Sequence, residues 1–183
     1  MSTSPRTLQE IDAACWAELE RAATEPGHAW RLMALATVDG DAADLRHVVL
    51  RESRPAERSL IFYTDARSPK VAQLAAHPLG TLLLWSRALR WQLRLRCRFY
   101  IAVDGAEVAA RWQQLKATPA ALDYLSPLAP GQALQAPLPE PTHEGHFALV
   151  TARVERLDWL ELHDDGLHRR ALIDAEGARW VAP

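Results

Sequence analysis

Only two cysteines, Cys15 and Cys97, occur among the 183 residues, and no CxxC pair is present. A disulfide scaffold is thereby excluded. No secretory signal is visible, so the two thiols are expected to be reduced core groups of a cytoplasmic protein. No apolar run is long enough to span a bilayer, and no membrane partner is expected. The formal net charge is only −2, which gives no global field to attract nucleic acid or an acidic membrane. Any anion must therefore be held by a local cluster. Internal repeats and low-complexity tracts are missing. The seven histidines are scattered. His143 and His146 form an HxxH, but in a Pro-rich stretch without a third ligand, and no metal site is expected. No Ser-His-Asp or Cys-His grouping stands in a recognisable frame.

What is present suffices for one domain, 1–183, with a substantial core. Residues Met1 to Pro5 are expected to be loose. Thr7 and Glu10 have capping-box spacing. Leu8, Ile11, Cys15, Trp16 and Leu19 then recur at helical intervals, predicting an N-terminal helix over about 7–23, ended by Pro26-Gly27. Short strands follow at Trp30 to Val38 and Leu45 to Arg51, joined at Asp39-Gly40, and at Leu60 to Tyr63. Ser68-Pro69 fits an N-cap and first helical position, opening a short helix with Val71, Leu74 and Ala75 inward. Further strands are predicted at Leu79 to Trp85, Leu89 to Val103 and Phe147 to Trp159. A closing hairpin runs from Leu167 to Ile173 and Ala178 to Val181. Glu107 to Lys116 reads as a helix, and Ala117 to Glu144 as a Pro- and Ala-rich connection holding one or two helical turns. The fold class is mainly β: a six- to seven-stranded antiparallel barrel with short flanking helices. A barrel of this size is filled by its own side chains, so a ligand belongs outside it, in a groove or at a subunit interface.

Three segments carry possible chemistry. On the longest strand, Trp91, Leu93, Leu95, Cys97 and Phe99 share one face, while Gln92, Arg94, Arg96 and Arg98 share the other. Three same-face arginines repel unless an anion opposes them. A ligand phosphate, an acidic subunit partner and a solvated basic edge are all open readings. In TDARSPK, a strand ends at Thr64 and a helix begins after Ser68. Free backbone N–H groups, the hydroxyls of Thr64 and Ser68, and the charges of Arg67 and Lys70 suit a phosphate there; ordinary helix capping explains the hydroxyl alone. Arg46 and Arg51 flank VVL and differ by five positions, so strict alternation puts them on opposite faces unless a bulge intervenes. Trp85 and Trp91 are expected in or beside the sheet. Trp159 can cover a ring or pack in the core.

Taken in order, these segments resemble the pyridoxamine 5'-phosphate oxidase-like flavoproteins, a split-barrel FMN-binding family, from Trp30 to the C-terminus. The family strand RxVLLK, which touches flavin and phosphate, reads RHVVLR here, with Arg46 matching, Val48 within it and Arg51 replacing the lysine. The family's FYTN and SRK read FYTD and SPK, so Tyr63, Thr64, Ser68 and Lys70 match. Pro69 replaces a phosphate-binding arginine, for which the resemblance suggests Arg67 as a substitute. RQVR reads WQLR and carries over Gln92, a flavin contact supplied across a dimer. A Trp and an Arg ten residues apart against FMN correspond to Trp159 and Arg169. The resemblance implies a homodimer with FMN at the subunit interface and an FMN-dependent oxidoreductase acting on a small-molecule substrate or electron donor. A non-catalytic flavin- or haem-binding module is the alternative. The vitamin B6 oxidase activity itself fits less well. Its substrate-gripping Tyr, Arg and Ser do not align with ARWQQLKATPAALDYLSP, and its C-terminal Arg-x-His falls on Asp165 and Leu167, with His168 one step off.

Overall fold

The computed structural model describes residues 7–134, 140–142 and 145–183. The N-terminal residues Met1 to Pro5 and His143 of the HxxH lie outside the described residues. Among the described residues, eight strands form one antiparallel sheet: β1 (Leu32–Asp39), β2 (Ala42–Arg54), β3 (Ser59–Asp65), β4 (Leu79–Ser86), β5 (Trp91–Ala102), β6 (Phe147–Glu161), β7 (Arg169–Asp174) and β8 (Gly177–Val181). Their order is β3-β2-β1-β4-β5-β6-β7-β8, and a β3–β6 pairing closes the first six into a barrel.

The split comes from β6. Its first half, Phe147 to Arg153, pairs with β3, and its second half, Arg156 to Glu161, pairs with β7. Its other edge stays on β5 from Leu149 to Glu161, with one bulge at Glu155. The expected six or seven strands are thus a six-stranded barrel plus a hairpin, β7–β8, that extends the sheet instead of closing it.

Period-two alternation places the core. Trp91, Leu93, Leu95, Cys97 and Phe99 on β5 are buried together with Met33, Leu35, Leu50, Leu60, Phe62, Leu82 and Leu84 from the neighbouring strands. Each such side chain contributes about 1.5–3 kcal/mol of apolar burial. The first helix, α1 (Leu8–Thr24), completes this core with Ile11, Cys15, Trp16, Leu19 and Ala22. Its capping box forms as expected: the Glu10 N–H donates to Thr7 Oγ1 at 3.2 Å, and the Thr7 N–H to Glu10 Oε2 at 2.9 Å. Burial of both thiols raises their pKa values, so neither is activated.

A smaller cluster lies on the outer side of β3 and β6, where Ile61, Tyr63, Phe147 and Leu149 meet Val108, Leu115 and Tyr124. These come from α3 (Ala106–Leu115) and a 3-10 segment at Pro119–Tyr124. Two boundaries differ from expectation. Trp30 sits in a 3-10 turn, because the His28 ring accepts its N–H at 3.1 Å, and β1 starts only at Leu32. The polar segment after Arg51 continues β2 to Arg54 before a turn in which Arg58 adopts φ 49°. No helix among the described residues is long and apolar enough to cross a membrane.

Candidate functional site

The helix α2 (Pro69–Ala76) begins where β3 ends, and this junction gathers the phosphate candidates. Pro69 stands at the first helical position and Ser68 is the N-cap residue, but the Ser68 hydroxyl makes no capping bond. It lies 3.2 Å from Thr64 Oγ1 instead. The Lys70 ammonium donates to the same Thr64 oxygen at 3.2 Å. Thr64 and Ser68 are buried, Lys70 partly so. Burial first, and the neighbouring Arg46 charge second, push the Lys70 pKa below the ordinary lysine value. A cation so placed is relieved by an incoming anion.

Arg46 reaches the corner from β2. Its guanidinium donates to Gln73 Oε1 at 2.8 Å, and also to Thr37 and Asp44. Gln73 is buried on α2, where it accepts from Thr37 Oγ1 at 2.7 Å and donates to Asp44 at 3.0 Å. The inward side of α2 is therefore Gln73 and Leu74. Val71 is only half-buried and Ala75 is exposed, which corrects the expected apolar trio. The polar side of this helix braces Arg46 against β1.

Arg51 is the extra residue of a bulge: Leu50 pairs with Phe62, and Glu52 with Ile61. The bulge does not swing Arg51 toward Arg46. Its guanidinium lies 5.6 Å from the centroid of the Tyr63 ring, on the outer cluster. Its Nε is buried without a hydrogen-bond partner. Tyr63 packs edge-on against Phe147 at 4.9 Å, and burial raises its pKa. Val48 points into the barrel core, so only its backbone can touch a ligand. Arg67 turns away from Lys70. It grips Asp65 at 2.7 Å and the carbonyls of Ser126, Pro127 and Leu128, tying the long connection to the end of β3.

Gln92 lies on the outer sheet face between Trp85 and Leu160 of the adjoining strands. Trp159 is 0% exposed and belongs to the core, edge-on to Trp91 at 5.4 Å. Its ring is enclosed and offers no stacking surface; of the two readings left by the sequence, core packing is the one found. Arg169 sits beside it, 5.5 Å from its ring and 5.0 Å from that of Trp180, with its guanidinium donating to the buried Glu161 at 3.2 Å. Arg46, Thr64, Ser68 and Lys70 are thus brought together. Arg51 with Tyr63, Arg67, Gln92, and Trp159 with Arg169 stand in separate settings.

Two of the three strand arginines are answered from within the chain. Asp158 on β6 accepts from Arg94 and Arg170, and Glu155 accepts from Arg98 at 2.9 Å. Thr37, Asp44, Gln73 and Asp158 were not singled out from the sequence. Asp44 had a signal, being two residues before Arg46 on one strand. Gln73 and Thr37 act from other elements and had none.

The corner fits an oxyanion. Two cations and two hydroxyls converge at a strand-to-helix junction, and one hydroxyl is left free of capping. A family model described as pyridoxamine 5'-phosphate oxidase, FMN-binding domain, matches residues 13–103, a span that holds the corner and Gln92. The pyridoxine/pyridoxamine 5'-phosphate oxidase of Hyphomonas neptunium is 30% identical over 149 residues, covering 73% of this chain and 67% of that protein. The Caulobacter vibrioides protein of the same name is 28% identical over 198 residues, covering 98% and 87%. Two solved structures share the fold. PhzG from Burkholderia lata 383, in complex with tetrahydrophenazine-1-carboxylic acid, has a TM-score of 0.73 at 17% identity, covering 98% of this chain and 94% of that one. A pyridoxamine 5'-phosphate oxidase-related, FMN binding protein from Nostoc punctiforme has a TM-score of 0.72 at 22% identity, covering both chains fully.

Proposed function

We propose, since this chain belongs to the pyridoxamine 5'-phosphate oxidase-like FMN-binding family, that it is a homodimeric FMN-dependent oxidoreductase whose substrate differs from that of the B6 oxidase. The observation that carries this reading is the Arg46–Thr64–Ser68–Lys70 corner, where the Lys70 ammonium is partly buried beside a second cation. Lys70 and Arg46 would hold the FMN phosphate, with Thr64 and Ser68 donating hydroxyl hydrogen bonds to it. Arg51 and the backbone of Val48 would line the ring side, and Gln92 of a second copy would hydrogen-bond the ring. The flavin supplies electron transfer when bound, while the protein orients it and excludes water.

A dimer is supported by the outer face of the barrel. Leu45 is 66% exposed, Leu32 51% and Trp85 45%, an apolar surface of the kind that marks an interface. A substrate other than a B6 phosphate is supported by the region where the oxidase grips its substrate. Here Arg111 is bound to Glu52, and Trp112 stacks on Phe147 at 5.7 Å, so both serve packing.

The test is an absorbance spectrum of the purified protein before and after FMN addition, with sedimentation to count subunits. One flavin per chain in a dimer is expected. A colourless protein that takes up no FMN overturns the reading. Tight flavin binding with no reduction by NADH or NADPH and no turnover with an acceptor would instead establish the non-catalytic carrier.

A further inference from the structure

On the outer face of the sheet, Arg94 and Arg96 of β5, Arg156 and Asp158 of β6, Arg170 of β7 and Thr81 of β4 surround a concave basin of about 420 Å³. It is separate from the Lys70 corner and shares no residue with it. Among the residues that line the basin, Asp158 is the carboxylate set against these four arginines. Asp158 is already divided between Arg170, at 2.9 Å through both of its oxygens, and Arg94. Arg96 and Arg156 stand directly opposite one another across the β5–β6 ladder. Among the described residues neither makes a hydrogen bond or ion pair with a carboxylate. Asp174, the cross-strand neighbour of Arg156 on β7, is held by Arg179 at 2.9 and 3.0 Å.

A facing pair of like charges is destabilising, with side chains about 4.5–5.5 Å apart at Cβ. The pairing arises from a bulge. Cys97 pairs with Val154 and Arg96 with Arg156, so Glu155 is skipped. A regular register would have set Arg96 opposite Glu155. The bulge turns Leu157 and Trp159 into the core, where both are fully buried, and leaves two guanidinium forks side by side at the floor of a basin. Each fork can take an oxyanion through two N–H donors.

We infer that this basin binds a small anion carrying at least two oxyanion groups, of the diphosphate or polycarboxylate class, with Arg96 and Arg156 as its principal ligands and Asp158 holding Arg94 and Arg170 in place at its rim. The site does not depend on flavin. Titration calorimetry of the full-length protein with inorganic pyrophosphate, and separately with citrate, tests it at low and moderate salt. Binding of at least one probe is expected, with a component that persists in K70M and whose affinity falls at least tenfold in R96S/R156S. Preference between the probes separates a phosphate ligand from a carboxylate one. Thermal melting checks the fold: in low salt and without anion, R96S/R156S should melt no lower than wild type, because the opposed charges are gone. Three results overturn the inference. Wild type takes up neither probe; or R96S/R156S binds as well as wild type; or the anion is lost in K70M and kept in R96S/R156S, which would place it in the corner. Should the double variant become monomeric on sedimentation while wild type binds neither probe, the arginines serve a second copy of the chain and not a ligand.

Discussion

In the corner beside α2, Arg46 and Lys70 are held mainly by neutral partners, namely Thr37, Gln73 and Thr64, with Asp44 as the one carboxylate bonded to them among the described residues. On the outer sheet face, Arg94 and Arg170 are held by the buried carboxylate of Asp158, while among the described residues Arg96 and Arg156 make no hydrogen bond or ion pair with a carboxylate, and Asp174, which feels the Arg156 charge, is bonded to Arg179. The two regions are both cationic but differ in how the charge is fixed. A hydroxyl or amide orients a cation without neutralising it, so Lys70 keeps its field for an incoming anion, while Asp44 offsets Arg46. A carboxylate both orients and neutralises, so Asp158 makes half of the basin structural and leaves the other half open.

Lys70→Met should separate the two regions most sharply. Loss of one charge-assisted hydrogen bond to a phosphate is worth about 1.5–3 kcal/mol, or roughly 10- to 100-fold in FMN affinity. Flavin fluorescence quenching should show that drop, while the melting temperature of the flavin-free protein stays level or rises, since burial disfavours the ammonium. The pH dependence has a definite sign. Phosphate binding favours charged Lys70, whose pKa in the fold lies below the ordinary value of about 10.4. Affinity should therefore be full below that depressed pKa and fall as pH rises through it, and the K70M titration should be flat over the same range. A wild-type affinity that stays level as pH rises past the ordinary lysine value of about 10.4 would remove Lys70 from the phosphate site.

Asp158→Asn should cost stability and leave flavin binding alone. Asp158 is buried, but Arg94 and Arg170 are partly solvated, so the loss is expected near the lower end of the range for a charged hydrogen-bonded group, about 1–2 kcal/mol by urea unfolding at pH 7. Burial pushes the Asp158 carboxyl up, but hydrogen bonds from Arg170 and Arg94 outweigh it and hold the pKa below the ordinary aspartate value. The stabilisation is thus present above the unfolded value of about 3.9 and is lost as pH falls through the lower folded one. Wild type and D158N should converge in acid. An equal gap at pH 7 and pH 2 would show that the asparagine acts through packing.

Glu155→Gln is the smallest expected change. The Arg98–Glu155 pair is solvated on both sides, with side chains 41% and 38% exposed. Such pairs contribute about 0.2–1 kcal/mol at most. The melting temperature should move little, and pyrophosphate binding in the basin should not weaken. A large loss of stability here would mean that the bulge needs the Glu155 carboxylate.

Much of the fold was readable because its causes are local. The Thr7–Glu10 capping box closes within four residues, and the inward row from Trp91 to Phe99 alternates along one strand. Thr64, Ser68 and Lys70 were legible as a group for the same reason: they span seven residues across a strand end and a helix start. Arg46 was legible as a candidate, but its bracing by Gln73 and Thr37 was not, since those residues come from two other elements. Trp159 was left between ring-stacking and core by its sequence. Its burial follows from the Glu155 bulge, which reverses the facing of every later β6 residue. Arg67 looked like a phosphate ligand by position and charge, yet the connection at Ser126 to Leu128 presents carbonyls that take up its donors.

The amino-acid order by itself determined where strands and helices form, which strand face is apolar and which short segment collects hydroxyls and cations, because hydrogen-bonding period and capping act over a few residues. Only the tertiary structure decided which charges are matched. Barrel closure between β3 and β6, the bulges at Arg51 and Glu155, and the placement of α2 over β1 set the cross-strand partners, and a shift of one residue in a ladder exchanges an acid for an arginine.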